Sequence, residues 1–380
     1  MFVKRKWLVA SLGFIWIIGG LILWNDWNNR EFALSTKTDV QTPQNAVKDT
    51  SEKLTEVESD QKLEETIIHT ATIGMVGDVL LHNPIYTYPN FDFAFEAVKE
   101  KMASIDFLLA NQESMPGGVE LGLSTYPKFN SPKHILPALQ NVGVDMVSFA
   151  NNHTFDKGEN GVRKAIEHAQ QYGMQYVGAY ESFKDRKTER IVEVNGIKIG
   201  VLAYTYGTNV KLDLQDKEYL VNYIDRERME NEIQQMKPKV DVTIVSLHWG
   251  PEYQLETSED QAELAQFVSD AGADVLFGHH PHVLQRYGEV GNTKVFFSLG
   301  NFYSAQPFDY TNFGGIARLS VTKEQTGDQK TVTIEDPRFF PTGVIKDQEK
   351  RFKVVPLNEA NSTIHYNEEW VENHVGVPKW

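Results

Sequence analysis

Short apolar runs alternate with segments of helical periodicity along the chain from Thr70 onward. A short apolar run bounded by turn residues predicts a buried strand, whereas apolar positions three or four residues apart predict a helix. The helices predicted in this way are 93–102, 134–141, 161–172, 226–236 and 260–271. The predicted strands are 70–76, 105–110, 144–150, 191–194, 197–204, 240–247, 274–277, 294–298, 316–321 and 331–334.

Two glycine-containing turns interrupt the alternation of strands and helices. Asn195–Gly196 joins the strands predicted at 191–194 and 197–204, and Gly291–Asn292 precedes the strand at 294–298. Such pairs favour tight hairpins, so some neighbouring strands are antiparallel. The mixture of βα units and hairpins predicts an α/β fold in which two mixed sheets pack together with helices outside them, rather than a simple doubly wound sheet.

The first residues follow a different pattern. Residues 7–24 carry no charge, and as a helix they are long enough to cross nearly the whole hydrocarbon layer of a bilayer. Lys4, Arg5 and Lys6 precede them, so the positive-inside rule places residues 1–6 in the cytoplasm. We therefore predict a single-pass protein of the bacterial cell membrane with an extracellular main domain, and a cleaved signal peptide is the alternative.

Residues 25–66 are rich in Thr, Gln, Glu, Lys, Asp and Ser and poor in large apolar side chains. A segment of this composition cannot offset the entropy of ordering, so we predict an extracellular linker or stalk. The main domain is predicted at 67–345, and a C-terminal extension at 346–380.

Net charge and cysteine content limit the class of partner and the groups that could bind a metal. The formal net charge of -15 at pH 7 disfavours nucleic acid as a partner, because binding to phosphates depends on Lys and Arg. The chain has no cysteine, which excludes disulfides and thiolate ligands. Any metal must therefore be bound by carboxylate, amide or imidazole groups.

Polar motifs directly follow several of the predicted strands. Because the carboxyl ends of parallel strands meet at one edge of a sheet, α/β proteins place their ligand sites there. We therefore expect the side chains of these motifs to converge. The motifs are Gly77–Asp78, Asn111–Gln112–Glu113, Asn151–Asn152–His153, His248–Trp249–Gly250 and Gly278–His279–His280–Pro281–His282.

The residue types in these motifs suit a hard or borderline divalent metal. The predicted cofactor is one or more divalent ions, among which the sequence does not distinguish Mn, Zn, Fe and Mg, and a cluster that holds no metal is the alternative. Glu113 could bridge two ions, and a metal-bound water would then be an effective nucleophile. Carboxylate, amide and imidazole groups together make up the predicted metal-ligand set, which is Asp78, Glu113, Asn152, His248, His280 and His282.

The two histidines on either side of Pro281 are the most specific local signal. Proline biases His280 toward an extended backbone, in which residues two apart lie on one face, so the rings of His280 and His282 are expected to converge. His279 is then expected to face away, in a packing or supporting role. Glu252 lies close to His248 in the sequence and is expected to support that histidine.

We expect His153 to act as a general acid or anion stabiliser beside the metal, oriented by Asp156. The alternative is that Asn151–Asn152–His153 only forms a strand-to-helix turn, because asparagine is a common turn and cap residue. The carboxylates have similar alternatives, since Asp78 could be a turn residue and Glu113 a solvated side chain.

Taken in order, the motifs resemble the CapA family, also called PgsA, of bacterial capsule and poly-γ-glutamate synthesis proteins. They span about residues 70–305 and end with Ser298–Leu299–Gly300–Asn301–Phe302. The resemblance implies a four-layer α/β/β/α sandwich like that of calcineurin-like metallophosphoesterases. It also implies a role in making or exporting poly-γ-glutamate, with that polymer and the membrane subunits of its synthase as partners.

The motifs depart from the metallophosphoesterase pattern in two places. Leu80 stands where a histidine ligand is expected, although His82 follows it and could reach the site, and Asn-x-Glu replaces Asp-x-x-Asp. Two classes of function stay open, namely a metal-dependent hydrolase of a phosphoester or an amide, and a non-catalytic scaffold that binds polymer or a neighbouring subunit. A cell-surface phosphoesterase unrelated to capsule is a third alternative.

Overall fold

The structure, a computed structural model, describes residues 65–360, 364 and 366–380. The membrane anchor predicted at 7–24 and nearly all of the stalk predicted at 25–66 lie outside these residues. Within the described ranges, no helix is both long and apolar enough to cross a membrane.

The described ranges contain nine α-helices and fourteen strands. The helices are α1 (Asp92–Phe95), α2 (Lys99–Ala103), α3 (Ile135–Gln140), α4 (Gly158–Tyr172), α5 (Phe183–Lys187), α6 (Arg226–Met236), α7 (Glu259–Ala271), α8 (Leu357–Ala360) and α9 (Glu368–Val375). The strands are β1 (Thr66–Leu80), β2 (Phe107–Gln112), β3 (Met146–Ser148), β4 (Gln175–Val177), β5 (Ile191–Val194), β6 (Ile197–Thr205), β7 (Val242–His248), β8 (Val275–His279), β9 (Leu284–Val290), β10 (Thr293–Leu299), β11 (Asn301–Ser304), β12 (Phe313–Thr326), β13 (Gln329–Lys346) and β14 (Phe352–Pro356).

The strands form two mixed sheets. The larger sheet has the order β14-β13-β12-β1-β2-β3-β4, with β11 paired to β1, and the smaller has the order β5-β6-β7-β8-β10-β9. Strands β1 to β4 run parallel, as do β6, β7 and β8. Strands β12 to β14 and the hairpins β5–β6 and β9–β10 add antiparallel pairs. The mixed α/β fold predicted from the sequence is confirmed.

Three buried apolar clusters separate the layers. One fills the space between the two sheets, where Ile73 of β1 and Phe277 of β8 belong to the same core. A second cluster includes Ile166 of α4 and covers the outer face of the larger sheet. A third includes Leu264 of α7 and covers the outer face of the smaller sheet. The described residues are therefore arranged as helix, sheet, sheet and helix layers.

Local signals explain where the predicted helices agree with the structure and where one does not. Helix α7 begins with a capping box formed by Ser258 and Gln261 and ends at Gly272, which has a left-handed backbone. The helix predicted at 93–102 is instead divided into α1, a 3₁₀ turn and α2. Phe95 and Val98 both have φ near -116° and ψ near 0°, which interrupts the helical backbone.

The C-terminal residues belong to the same core as the main domain. Strand β14 pairs with β13 at the edge of the larger sheet. Val371 and Val375 of α9 are buried in the cluster between the sheets. The sequence pattern did not single out β4, β11 or β14, which have three to five residues and show no clear period. The equally short β3 was predicted because it lies within the longer apolar run 144–150.

Candidate metal centre

The residues of the predicted metal-ligand set lie together at the carboxyl ends of parallel strands from both sheets. Asp78 lies near the end of β1, and Glu113 directly follows β2. His248, the last residue of β7, pairs with His279, the last residue of β8. We call the predicted ligands the polar cluster, and each is at most 4% exposed: Asp78, Glu113, Asn152, His248, His280 and His282.

A close approach of two strand ends positions Asp78. Its backbone N–H donates a hydrogen bond to the carbonyl oxygen of Gly300 at 2.8 Å. A side-chain carbon on Gly77 would lie 2.2 Å from the same oxygen, so glycine is required at that position. The register of β1 against β2 shifts between Val76 and Asp78. A bulge of this kind re-aims the following side chain, here into the cluster.

The carboxylate of Asp78 is the best-satisfied member of the polar cluster. Its Oδ1 accepts a hydrogen bond from Asn111 Nδ2 at 2.8 Å and lies 3.1 Å from His279 Nδ1. Its Oδ2 lies 3.1 Å from His282 Nδ1. Burial disfavours the charged carboxylate, but the hydrogen bonds with the two histidines outweigh burial and keep the pKa of Asp78 well below its ordinary value.

The turn after β8 does not have the extended backbone that Pro281 predicts. The φ angles of His280 and His282 are 97° and 57°, in the left-handed region. This conformation removes the alternation of side chains, so the prediction that His279 faces away from the cluster is wrong and its ring contacts Asp78. The His280 and His282 rings still approach, with their centroids 5.9 Å apart. A left-handed backbone is strained for a non-glycine residue, so the surrounding contacts must stabilise this turn.

Several atoms of the cluster suit a cation and have no hydrogen-bond partner among the described residues. Both carboxylate oxygens of Glu113 and Nδ1 of His280 are buried and unpartnered. One ligand atom from each of Glu113, His280 and His282 lies within 4.8 Å of the other two. An unsatisfied buried polar group costs about 1–3 kcal/mol, and more when charged. A cation between these atoms would remove that cost, so the donor set fits a divalent metal.

Burial and mutual charge shift the pKa values of the other cluster groups in different directions. Burial raises the pKa of Glu113 well above its ordinary value. Burial also lowers the pKa of His248 well below its ordinary value and that of His280 to about 3, so both rings are neutral, which is the form that binds metals. Burial opposes the charge on His282, but the carboxylates of Glu113 and Asp78 outweigh it and raise the pKa of His282 to about 9.

Side-chain amides fix the rings of two cluster histidines. His248 Nε2 lies 2.9 Å from Asn152 Oδ1, and His248 Nδ1 lies 3.3 Å from Asn111 Nδ2. His282 Nδ1 lies 3.0 Å from Asn301 Oδ1. Glu252, which the sequence suggested as the support for His248, lines a neighbouring cleft instead.

His153 and Asp156 form a buried pair beside the cluster. His153 Nδ1 lies 2.7 Å from Asp156 Oδ2, and the same oxygen accepts a hydrogen bond from the backbone N–H of Phe129 at 2.7 Å. The two asparagines that precede His153 have different contacts. Asn151 makes the turn, because its Oδ1 accepts from the backbone N–H of His153 at 3.0 Å, while Asn152 contacts the cluster.

Leu80 and His82, where the sequence departs from the metallophosphoesterase pattern, line a cleft beside the polar cluster. Leu80 is buried there, and His82 Nδ1 lies 3.1 Å from the Leu80 carbonyl oxygen and 3.2 Å from Ser304 Oγ. Burial lowers the pKa of His82 to about 4. Nδ1 of this ring is therefore engaged outside the polar cluster.

The cleft beside the cluster has a volume of about 680 Å³. His153 and His282 form part of its inner wall, and Tyr126, Tyr253 and Phe308 part of its outer wall. Its position gives a ligand of moderate size access to the polar cluster and to the His153–Asp156 pair.

The sequence pattern did not single out Tyr206, which directly follows β6 and contacts the cluster. The centroid of its ring lies 4.7 Å from that of His280, and the ring is almost parallel to that of His248. Burial and the charges of Glu252 and Glu113 raise the pKa of Tyr206 to about 12. The one available signal was its position at a strand end, which the polar motifs share.

Residues 72–306 match the family described as bacterial capsule synthesis protein PGA_cap. The PGA biosynthesis protein CapA of Bacillus subtilis is 27% identical over 289 residues, which cover 74% of this chain and 76% of that protein. The capsule biosynthesis protein CapA of Bacillus anthracis is 32% identical over 293 residues, which cover 73% of this chain and 71% of that protein.

Solved structures with partial similarity include two nucleotidases. A putative 5'-nucleotidase from Staphylococcus aureus aligns with a TM-score of 0.44 at 14% identity, over 80% of this chain and 57% of that chain. A 5'-nucleotidase precursor from Thermus thermophilus aligns with a TM-score of 0.38 at 16% identity, over 70% of this chain and 54% of that chain.

Proposed function

The chain belongs to the bacterial capsule synthesis protein family PGA_cap, and from this membership we propose that it is an accessory protein of capsular poly-γ-glutamate synthesis whose described domain is a metal-dependent hydrolase. The two CapA relatives of Bacillus support the process, because each matches more than two thirds of the chain. The convergence of ligand atoms from Glu113, His280 and His282, of which those of Glu113 and His280 have no hydrogen-bond partner among the described residues, is the observation that supports the chemistry.

The six residues of the polar cluster would hold the metal. When bound, a divalent ion supplies Lewis acidity and lowers the pKa of a coordinated water, so that hydrolysis of a phosphoester or an amide becomes possible near neutral pH. Asp78 and Glu113 provide the negative charge that offsets the charge of the ion, and Asn111 and Asn301 orient cluster side chains through hydrogen bonds.

His153 would be the general acid of this reaction. Its Nδ1 is engaged by Asp156, so Nε2 is the ring nitrogen left to exchange a proton with a substrate. The ring also lines the cleft, where a leaving group next to the cluster would need protonation. A general acid in this position contributes typically about 100- to 10,000-fold to the rate.

Membrane attachment is a second part of the proposal. The uncharged run at 7–24, preceded by Lys4, Arg5 and Lys6, supports an anchor with residues 1–6 in the cytoplasm and the hydrolase domain outside the cell. In this position the domain would act beside the membrane subunits of the polymer synthase. Protease added to intact cells should remove the domain from the cell surface, and complete protection of the domain would contradict the proposed orientation.

Metal binding by the purified full chain tests the chemistry. We expect elemental analysis and calorimetric titration with Mn²⁺, Zn²⁺ and Mg²⁺ to detect one or two bound ions, and His280→Gln to weaken binding by at least about tenfold. His168→Gln is the matched control, because His168 is equally buried but its ring contacts Pro116 and Glu120 outside the cluster. A wild-type chain that binds none of these ions would refute the catalytic proposal and leave the capsule role standing.

Polymer production by cells tests whether the site serves capsule synthesis. An Asp78→Ala, His280→Ala double variant that reaches the cell surface in normal amount should make far less poly-γ-glutamate than wild type. Normal polymer production by these cells would show that the protein supports the process as a scaffold, without chemistry at this site.

A further inference from the structure

Outside the inner wall formed by His153 and His282, the described residues that line the cleft include no cationic group of the kind that binds acidic ligands. Among the described residues that line it, none is Lys or Arg, and Glu252 is the one carboxylate. Burial and, after it, the negative charge of Glu252 raise the pKa of the neighbouring Tyr253. The formal net charge of -15 adds repulsion of anions at longer range.

The outer wall of the cleft is built from aromatic rings that are partly exposed. Phe308 is 44% exposed and Tyr253 38%. The rings of Tyr253 and Phe308 meet edge to face with centroids 5.8 Å apart, and Tyr310 stacks on Phe308 at 5.4 Å. We call these three residues the aromatic wall. It extends to the cluster itself, because the ring of Tyr253 lies 6.1 Å from that of His282.

These two properties define which ligands the cleft can hold. Covering the exposed area of a large apolar ring yields about 25 cal/mol for each Å² removed from water. A carboxylate placed against the same wall would lose hydration, find no Lys or Arg in the cleft lining and face Glu252. Each γ-linked glutamyl unit retains its α-carboxylate, so the interior of poly-γ-glutamate does not match the aromatic wall.

The geometry points to a ligand whose reacting anionic part binds at the polar cluster and whose leaving group, an uncharged group with a flat or apolar surface, occupies the cleft against the aromatic wall. This inference rests on the proposed hydrolase and specifies its substrate class. In the phosphoester case, a water oxygen forms the new bond to phosphorus, the bond to the leaving oxygen breaks, and that oxygen receives a proton from His153. The proton that the attacking water gives up then restores His153 to its protonated form. The mature polymer is then not the substrate of the site.

Binding of leaving groups tests the inference without any turnover. The full chain is titrated with 2-naphthol and with 6-hydroxy-2-naphthoate, which share one ring system and differ by a carboxylate. We expect saturable binding of 2-naphthol and at least tenfold weaker binding of the carboxylate. Equal binding of the two compounds, or tighter binding of the carboxylate, would overturn the inference.

Two variants locate the selectivity in the cleft. Phe308→Ala should weaken binding of 2-naphthol by at least fivefold, whereas Phe183→Ala should not, although Phe183 is also 44% exposed and lies outside the cleft. Glu252→Lys should tighten binding of 6-hydroxy-2-naphthoate and reduce the discrimination. If Phe308→Ala and Phe183→Ala bind 2-naphthol equally well, the compound does not use the aromatic wall and the inference fails.

Hydrolysis of the matching esters separates this inference from the proposed function. We expect kcat/KM for 2-naphthyl phosphate to exceed that for 6-carboxy-2-naphthyl phosphate by at least tenfold. If both esters are hydrolysed at the same rate, the hydrolase stands and the cleft inference fails. If neither is hydrolysed although 2-naphthol binds selectively, phosphoester hydrolysis fails while the assignment of the cleft is supported.

Discussion

Replacing Asp156 with Asn tests the role of His153 without removing a predicted metal ligand. In the structure, Asp156 Oδ2 accepts hydrogen bonds from His153 Nδ1 and from the backbone N–H of Phe129, both at 2.7 Å. An amide oxygen at the position of Oδ2 still accepts from both groups, so the loop should keep its position. The NH₂ group then takes the position of Oδ1, which is buried and has no partner among the described residues. The variant therefore loses the negative charge that stabilises the doubly protonated ring of a general acid.

The expected magnitude follows from the charge that is lost from the hydrogen bond. A hydrogen bond to a charged group contributes about 1.5–3 kcal/mol and one between neutral groups about 0.5–1.5 kcal/mol, a difference of about 1–1.5 kcal/mol. Because each 1.4 kcal/mol corresponds to about tenfold in rate, Asp156→Asn should lower kcat/KM by about 5- to 12-fold if the bond acts fully in the transition state. Metal content should not change, since neither residue belongs to the polar cluster.

The assay combines kinetics with two measurements that do not depend on activity. We would measure kcat/KM for 2-naphthyl phosphate, metal content, and the proton position on His153 by ¹⁵N NMR, where the variant should keep the proton on Nδ1. Asp145→Asn is the control, because Asp145 Oδ2 also accepts a backbone N–H, from Leu108 at 2.8 Å, at the opposite end of β3. Activity of Asp156→Asn within twofold of wild type at normal metal content would refute the reasoning.

Three further predictions concern stability and the surroundings of the polar cluster. Burial lowers the pKa of His82 from 6.5 to about 4, so the unfolded state binds more protons between these values and stability falls as pH drops through them, by up to about 3 kcal/mol. In His82→Gln, the free energy of unfolding, measured by denaturant titration at several pH values, should depend less on pH. An unchanged pH dependence would contradict this prediction. Gly77→Ala should destabilise the fold by about 1–3 kcal/mol, because the added Cβ would clash with the Gly300 carbonyl oxygen. Gly207→Ala is the control, since a Cβ there would have its nearest contact at 3.6 Å and should change stability by less than about 0.5 kcal/mol. Tyr206→Leu should weaken metal binding by about 2- to 12-fold, because it removes the ring that packs against His280 and His248, and unchanged metal affinity would contradict this supporting role.

Local sequence patterns were sufficient for most elements and for the membership of the polar cluster. The helix predicted at 226–236 is α6, and the hairpin predicted around Asn195–Gly196 is β5–β6. The strand ends also indicated which polar side chains would meet. These features depend on hydrophobic period, turn residues and caps, which act over a few residues and are therefore readable along the chain.

The geometry inside the cluster required the tertiary structure. Proline in the motif predicted an extended turn, but contacts from a strand some two hundred residues earlier stabilise His280 and His282 with a left-handed backbone and bring His279 onto Asp78. Tyr206 and Glu252 carry no local signal that tells which wall of the site they occupy. The sequence by itself therefore determined which residue types reach the ends of the strands. Packing of the two sheets decided which atoms face each other, because that outcome depends on contacts between residues far apart in the chain.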